Sequence, residues 1–150
     1  MTFNDLNLHP DIIKAIEEHD YQKPTSIQKQ AIPALLSGKD LLGCAKTGTG
    51  KTAAFALPIV QKLLEKQVEY VGSKHIRALI LAPTRELAIQ IGENIESYAR
   101  YTELPVGVLF GGITPKRHIK VIKREPDIIV ATPGRFLDFI QQGHINADTI

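Results

Sequence analysis

Cysteine is nearly missing from these 150 residues: Cys44 stands alone, so no internal disulfide can form. It falls in an apolar run and is expected to be a small buried residue. The five histidines, at positions 9, 19, 75, 118 and 144, show no metal-ligand spacing, and no zinc is expected. An excess of one charge is lacking too. The formal net charge is +2, so bulk charge singles out no partner, and any nucleic-acid surface must be local. No hydrophobic run is long enough to span a membrane, and the opening Met1-Thr2-Phe3-Asn4-Asp5 does not read as a signal peptide. Cytoplasm is therefore the expected compartment. Internal repeats, low-complexity tracts and linkers are also absent. What is present, 43% hydrophobic and 23% charged residues, suits one domain or part of one with a buried core.

The chain is organised around residues 40–52, D-L-L-G-C-A-K-T-G-T-G-K-T. Residues 41–45 read as a buried strand, Gly48 and Gly50 make a tight loop, and a helix begins around Ala53, Ala54 and Phe55. The eight residues Ala45, Lys46, Thr47, Gly48, Thr49, Gly50, Lys51 and Thr52 match the phosphate-loop pattern, with Ala45 in place of its first glycine. Glycines let successive backbone N–H groups turn inward on an anion, and the following helix points its positive end at the same spot. Lys51 can set a point charge on the outer phosphates of a nucleoside triphosphate. The Thr52 hydroxyl offers Mg²⁺ the oxygen ligand it prefers.

On the N-terminal side, Phe3, Leu6 and Leu8 lead to Pro10, where a first helix is expected. Residues 21–24 read as a loop. A second helix should run over 26–36 and end at Gly38, with Thr25 and Gln28 at capping-box spacing. After the phosphate loop comes a helix that Pro58 should kink or divide, then over 65–74 a polar loop, or a frayed helix end followed by loop. Buried strands are expected at 76–82, 106–110 and 127–131. Helices should follow, capped by Thr84, by Thr114 with Pro115, and by Thr132 with Pro133. Ile89, Ile91, Ile95 and Tyr98 could supply a buried face for the first of these. Lys116, Arg117, His118, Lys120, Lys123 and Arg124, interrupted by Ile119 and Ile122, read as the solvated basic face of an amphipathic helix rather than as a binding patch. Strands alternating with helices imply an α/β fold with a mostly parallel sheet and helices on both faces. Ligands in such sheets collect beyond the carboxyl ends of the strands, where the four glycine- and proline-marked loops fall.

Five short strings now stand in order. Residues 21–28, Y-Q-K-P-T-S-I-Q, resemble the Q motif of DEAD-box RNA helicases, and A-K-T-G-T-G-K-T at 45–52 is similar to that family's phosphate loop. P-T-R-E-L-A at 83–88 resembles motif Ia, and Gly111-Gly112 with T-P-G-R at 132–135 resemble the next two RNA-side motifs. Asp20 and Tyr21 replace a common Gly and Phe of the Q motif, and no D-E-A-D string occurs. The resemblance implies the N-terminal part of a RecA-like domain, incomplete at its C-terminal end, with the second RecA-like domain absent.

That resemblance also implies roles. Tyr21 would stack on adenine with Lys23 nearby, and Phe3 occupies the family's upstream aromatic position. Gln28 would pair with the donor–acceptor edge of adenine, which excludes guanine. Thr25 and the loop residues Ala45 to Thr52, with Ala53, would complete the ATP site, and Thr52 would hold Mg²⁺. Lys51 and Thr52 would act in catalysis. Pro83, Thr84, Arg85, Gly111, Gly112, Thr132, Pro133, Gly134 and Arg135 would lie along RNA, through phosphate and sugar contacts that carry no base sequence. The implied enzyme is an ATP-dependent RNA helicase. Residues 1–150 alone should bind ATP without useful hydrolysis and, with a sheet edge uncovered, be marginally stable. The rival reading is a nucleotide-binding module that does no helicase work. The RNA-side strings argue against it.

Overall fold

The computed structural model describes residues 1–66 and 75–150. Within these the chain forms two compact units, one holding residues 1–66 with 97–103, the other residues 75–96 with 104–150.

The first unit is helical. A short 3-10 turn, Phe3–Leu6, precedes α1 (Pro10–Glu17), α2 (Ser26–Leu36) and α3 (Lys51–Glu65). α1 starts at Pro10 because proline suits a first turn, and His9 caps it by accepting from the Asp11 N–H at 3.1 Å. The capping box at Thr25 and Gln28 forms as the spacing predicts and starts α2 at Ser26. Pro58 does not divide α3, which is continuous from Lys51 to Glu65. The buried faces of Ala54, Leu57 and Val60 hold it on both sides of the proline, so packing outweighs the one lost hydrogen bond. Gln61 ties α1 to α3 by accepting the His9 N–H at 2.6 Å.

The strand expected at residues 41–45 is not formed. The segment has no regular secondary structure, Leu42 is 94% exposed, and Cys44 is exposed rather than buried. A strand exists only as part of a ladder, and the described strands pair among themselves. The loop expected over 65–74 lies, from residue 67 on, outside the described residues.

The second unit is built on a parallel sheet of β1 (Ala78–Leu81), β2 (Val106–Leu109) and β3 (Ile128–Ala131), in the order β1-β3-β2. Ala78 and Val106 both align with Ile128. The central strand β3 is fully buried, which explains its unbroken Ile-Ile-Val-Ala run. β1 was expected to be buried over 76–82; it is shorter and half-exposed, because it lies at the edge of the described sheet. α4 (Arg85–Tyr98), α5 (Pro115–Lys123) and α6 (Pro133–Gln141) follow β1, β2 and β3 in turn. Ile76, Leu109, Ile129, Phe136, Phe139 and Ile145 form the core of this unit.

Candidate functional site

In the first unit the phosphate-loop sequence folds as a turn feeding directly into α3. Gly48 and Gly50 have φ of 82° and 84°, values that only glycine takes without strain. The Thr49 hydroxyl closes the turn by donating to the Lys46 carbonyl at 2.6 Å. No side chain caps α3, so its first N–H groups and positive dipole end face the loop. Lys51 is exposed at the first position of the helix, Thr52 is half-buried beside it, and Ala53 is buried. Uncapped donors, two left-handed glycines and one lysine suit a triphosphate. The Thr52 hydroxyl could supply one hard oxygen ligand to a Mg²⁺ ion.

Gln28 is buried, and the geometry joins its two readings. Its Oε1 accepts from the Thr25 N–H at 3.0 Å, completing the cap, while its Nε2 donates to the Gly50 carbonyl at 3.1 Å. The cap residue therefore also fastens the phosphate loop. Each end of the amide is engaged once within the chain, which leaves one Nε2 hydrogen and one Oε1 lone pair unspent.

Tyr21 is 40% exposed and belongs to an aromatic group. Phe3 stacks at 6.3 Å between ring centroids and His19 at 5.4 Å. The Tyr21 hydroxyl lies 3.4 Å from that of Tyr98, whose proton burial holds well above the usual phenol range. His19 in turn contacts the Ser97 hydroxyl. Beside Tyr21 is a cleft of about 360 Å³ lined by Phe3, Ile16 and Glu17 among others. Lys23 is exposed. Neither His19 nor Tyr98 was assigned to this group from the sequence, and no spacing signal marks a pairing about 78 residues apart.

In the second unit, parallel strands bring the segments expected as loops to one sheet edge, 83–85 after β1, 110–112 after β2 and 132–135 after β3, but Arg85 already opens α4 and residues 133–135 are the first turn of α6 rather than loop. The Thr84 hydroxyl accepts the Leu87 N–H at 3.2 Å, capping α4. Pro83, Gly111, Gly112, Pro133 and Gly134 are exposed and Thr132 is half-buried. Arg85 is exposed with its guanidinium 4.8 Å from the Phe110 ring centroid. Arg135 is half-buried and donates to the Ile113 carbonyl at 3.0 Å.

The basic face of α5 needs one correction. Lys116, Arg117, Lys120, Lys123 and Arg124 are exposed, but His118 is 2% exposed. Its ring packs edge-on against Phe110 and Phe139, and its Nε2 accepts from the Phe110 N–H at 3.4 Å. Helical spacing held the missed signal, since His118, Val121 and Ile122 share a stripe. Burial first, and the Arg135 charge second, push the imidazole down to about 4 from an ordinary 6.5. The unfolded chain therefore binds a proton that the folded chain refuses between these values. Stability should be flat above pH 6.5 and fall as pH drops from there towards 4. Urea midpoints near pH 7 and about pH 5 test this; His118→Gln should flatten the difference, and an unchanged slope would refute the assignment.

A family model described as DEAD/DEAH box helicase matches residues 25–149. The chain is 42% identical over 148 residues to the ATP-dependent RNA helicase SrmB of Haemophilus influenzae, spanning 99% of this chain and 33% of that protein. It is 45% identical over all 150 residues to the DEAD-box ATP-dependent RNA helicase CshA of Bacillus subtilis, covering 28% of it. A crystal structure of a hypothetical ATP-dependent RNA helicase from Sulfolobus tokodaii superposes with a TM-score of 0.84 at 36% identity, over 95% of this chain and 39% of that one. The chain thus spans about a third of the length of these relatives.

Proposed function

Because the chain belongs to the DEAD/DEAH box helicase family, we propose that it supplies the nucleotide loop and an RNA-binding edge to an ATP-dependent RNA helicase. In this reading residues 1–150 are the N-terminal part of a first RecA-like domain, working in the cytoplasm on RNA of largely arbitrary sequence. The observation that carries the reading is the second unit's sheet edge, where Arg85 at the start of α4, Gly112 on the loop after β2 and Arg135 in the first turn of α6 follow three parallel strands. A generic phosphate-loop protein has no need of that edge.

Each group has a physical task. Residues 45–50 and the first turn of α3 would hold the phosphates through backbone N–H groups, Lys51 would neutralise the outer charge, and Thr52 would ligate Mg²⁺. When bound, Mg²⁺ supplies charge neutralisation at the phosphate oxygens. Tyr21 would stack on the base. Gln28 would read its edge with the amide hydrogen and lone pair that Gly50 and Thr25 leave unused. Arg85 and Arg135 would bind phosphates of an RNA strand, with Gly112 and Gly134 letting the backbone approach closely.

Thermal protection tests the reading directly. Mg²⁺-ATP should raise the melting midpoint, GTP should not, and single-stranded RNA should add to the ATP effect. Gln28→Ala also removes a helix cap, at about 1 kcal/mol, so the informative quantity is the ATP-to-GTP ratio, which should collapse towards one. Equal protection by ATP and GTP in the unaltered chain would end the adenine assignment.

A further inference from the structure

A single buried ring contacts both the Arg135 side chain and the aromatic residue on which Arg85 rests. His118 lies 3.4 Å from Arg135 Nη1 through its Nδ1, and it accepts the Phe110 N–H through its Nε2, also at 3.4 Å. Phe110 carries the Arg85 guanidinium at 4.8 Å, and Arg135 reaches the Ile113 carbonyl beside Gly112. We propose that His118 is a positioning residue for the RNA-binding edge: it fixes the end of β2 and shelves Arg135, and so sets the placement of both guanidinium groups. The inference rests on the RNA reading given above.

Its chemistry follows from a count of lone pairs. A neutral imidazole has one acceptor nitrogen and one N–H. Two donors, the Phe110 N–H and Arg135 Nη1, compete for that single lone pair. If Phe110 takes it, the ring N–H faces the guanidinium and forms no hydrogen bond to it. Arg135 is then anchored by the Ile113 carbonyl and packs over the Phe139 ring, 5.9 Å from its centroid. One good acceptor for five N–H donors leaves the fork aimed but largely unspent. That is the state a phosphate-binding arginine needs: held in direction, yet cheap to recruit. A carboxylate at position 118 would neutralise Arg135 and compete with phosphate, and a lysine would repel it. A neutral ring does neither.

Two substitutions separate positioning from simple packing. His118→Leu keeps an apolar filling but strands the Phe110 N–H, while the amide oxygen of His118→Gln can still accept it. With a single-stranded oligouridylate as probe, His118→Leu should weaken binding by about three- to tenfold, and His118→Gln by less than about twofold. The salt slope of the Leu variant should flatten by about one phosphate contact. ATP affinity should be unchanged in both. The Arg135 side-chain N–H resonance should shift in the Leu variant and stay in place in the Gln variant, a readout that needs no RNA. Equal losses in the two variants, or an Arg135 resonance and RNA affinity both unmoved by Leu, would overturn the proposal. Arg85→Ala with Arg135→Ala serves as the control. If that pair binds oligouridylate like the unaltered chain, the RNA reading falls and takes the phosphate role of His118 with it, while the resonance still decides whether His118 positions Arg135.

Discussion

Gly50→Ala is expected to be far more damaging than the same change at Gly48. Position 50 has φ of 84°, and a Cβ there would run into the Gln28 amide and lie 3.2 Å from the Thr25 hydroxyl. Gly48 shares the left-handed backbone, at 82°, but a Cβ there meets nothing within 4 Å. Gly48→Ala thus carries conformational strain alone, about 1–2 kcal/mol, or about 5 °C in melting midpoint for a chain this size. Gly50→Ala adds a collision with a buried, doubly bonded amide, so its loss should be at least about twice as large. It also moves the donors of the phosphate loop, so ATP affinity should fall by more than about tenfold. Calorimetric melting and ATP titration of both variants give the ranking. Removing the obstacle with Gln28→Ala should make the double variant less unstable than the sum of its parts. Equal losses at positions 48 and 50 would show that Gln28 does not brace the loop.

Lys51→Ala should cost binding without costing stability. The side chain is exposed at the first position of α3, where the helix dipole is positive and a cation is mildly unfavourable. Alanine should therefore leave the melting midpoint of the free chain unchanged or slightly raised. Affinity for ATP should drop by about 100-fold, the scale of a lost charge-assisted contact to phosphate, while affinity for adenosine stays level. Isothermal titration with ATP, AMP and adenosine would resolve the gradient. A matching loss for adenosine would mean that the loop had collapsed; no loss for ATP would remove Lys51 from the site.

The elements readable in advance were those with local chemistry at their ends. α2 begins at Ser26 because Thr25 and Gln28 make a reciprocal cap, and both residues lie in the sequence within four positions of each other. Pro115 and Pro133 mark the starts of α5 and α6 as expected, but by their fixed backbone alone, for the side chains of Thr114 and Thr132 make no capping hydrogen bond. What failed depended on distant partners. Residues 41–45 have a strand's composition, but composition cannot say whether a ladder partner is present, and none pairs with them among the described residues. Pro58 carries a strong local veto that the packing of Ala54, Leu57 and Val60 overrides. At the candidate site, the spacing of Gly48, Gly50 and Lys51 foretold a glycine turn running into a helix, and both are present. The grip of Gln28 on Gly50 spans 22 residues and could not be read from either motif alone. His118 was hidden by its neighbours: four lysines and arginines within five residues made it look like one more surface charge, until its ring was found against Phe110 and Phe139.

The sheet order has a consequence for how the chain is made. β3 is the middle strand and the last of the three described strands to be synthesised. Ala78 waits for a partner 50 residues downstream, and Val106 for one 22 residues downstream. At about 5–20 residues per second on the ribosome, β1 would spend several seconds outside the exit tunnel with no ladder to join. The second unit cannot zip up from its N-terminus. It must be seeded from its newest strand, a high-contact-order step that leaves Leu79 and Ile80 open to chaperones, or to other nascent chains, until Ala131 emerges.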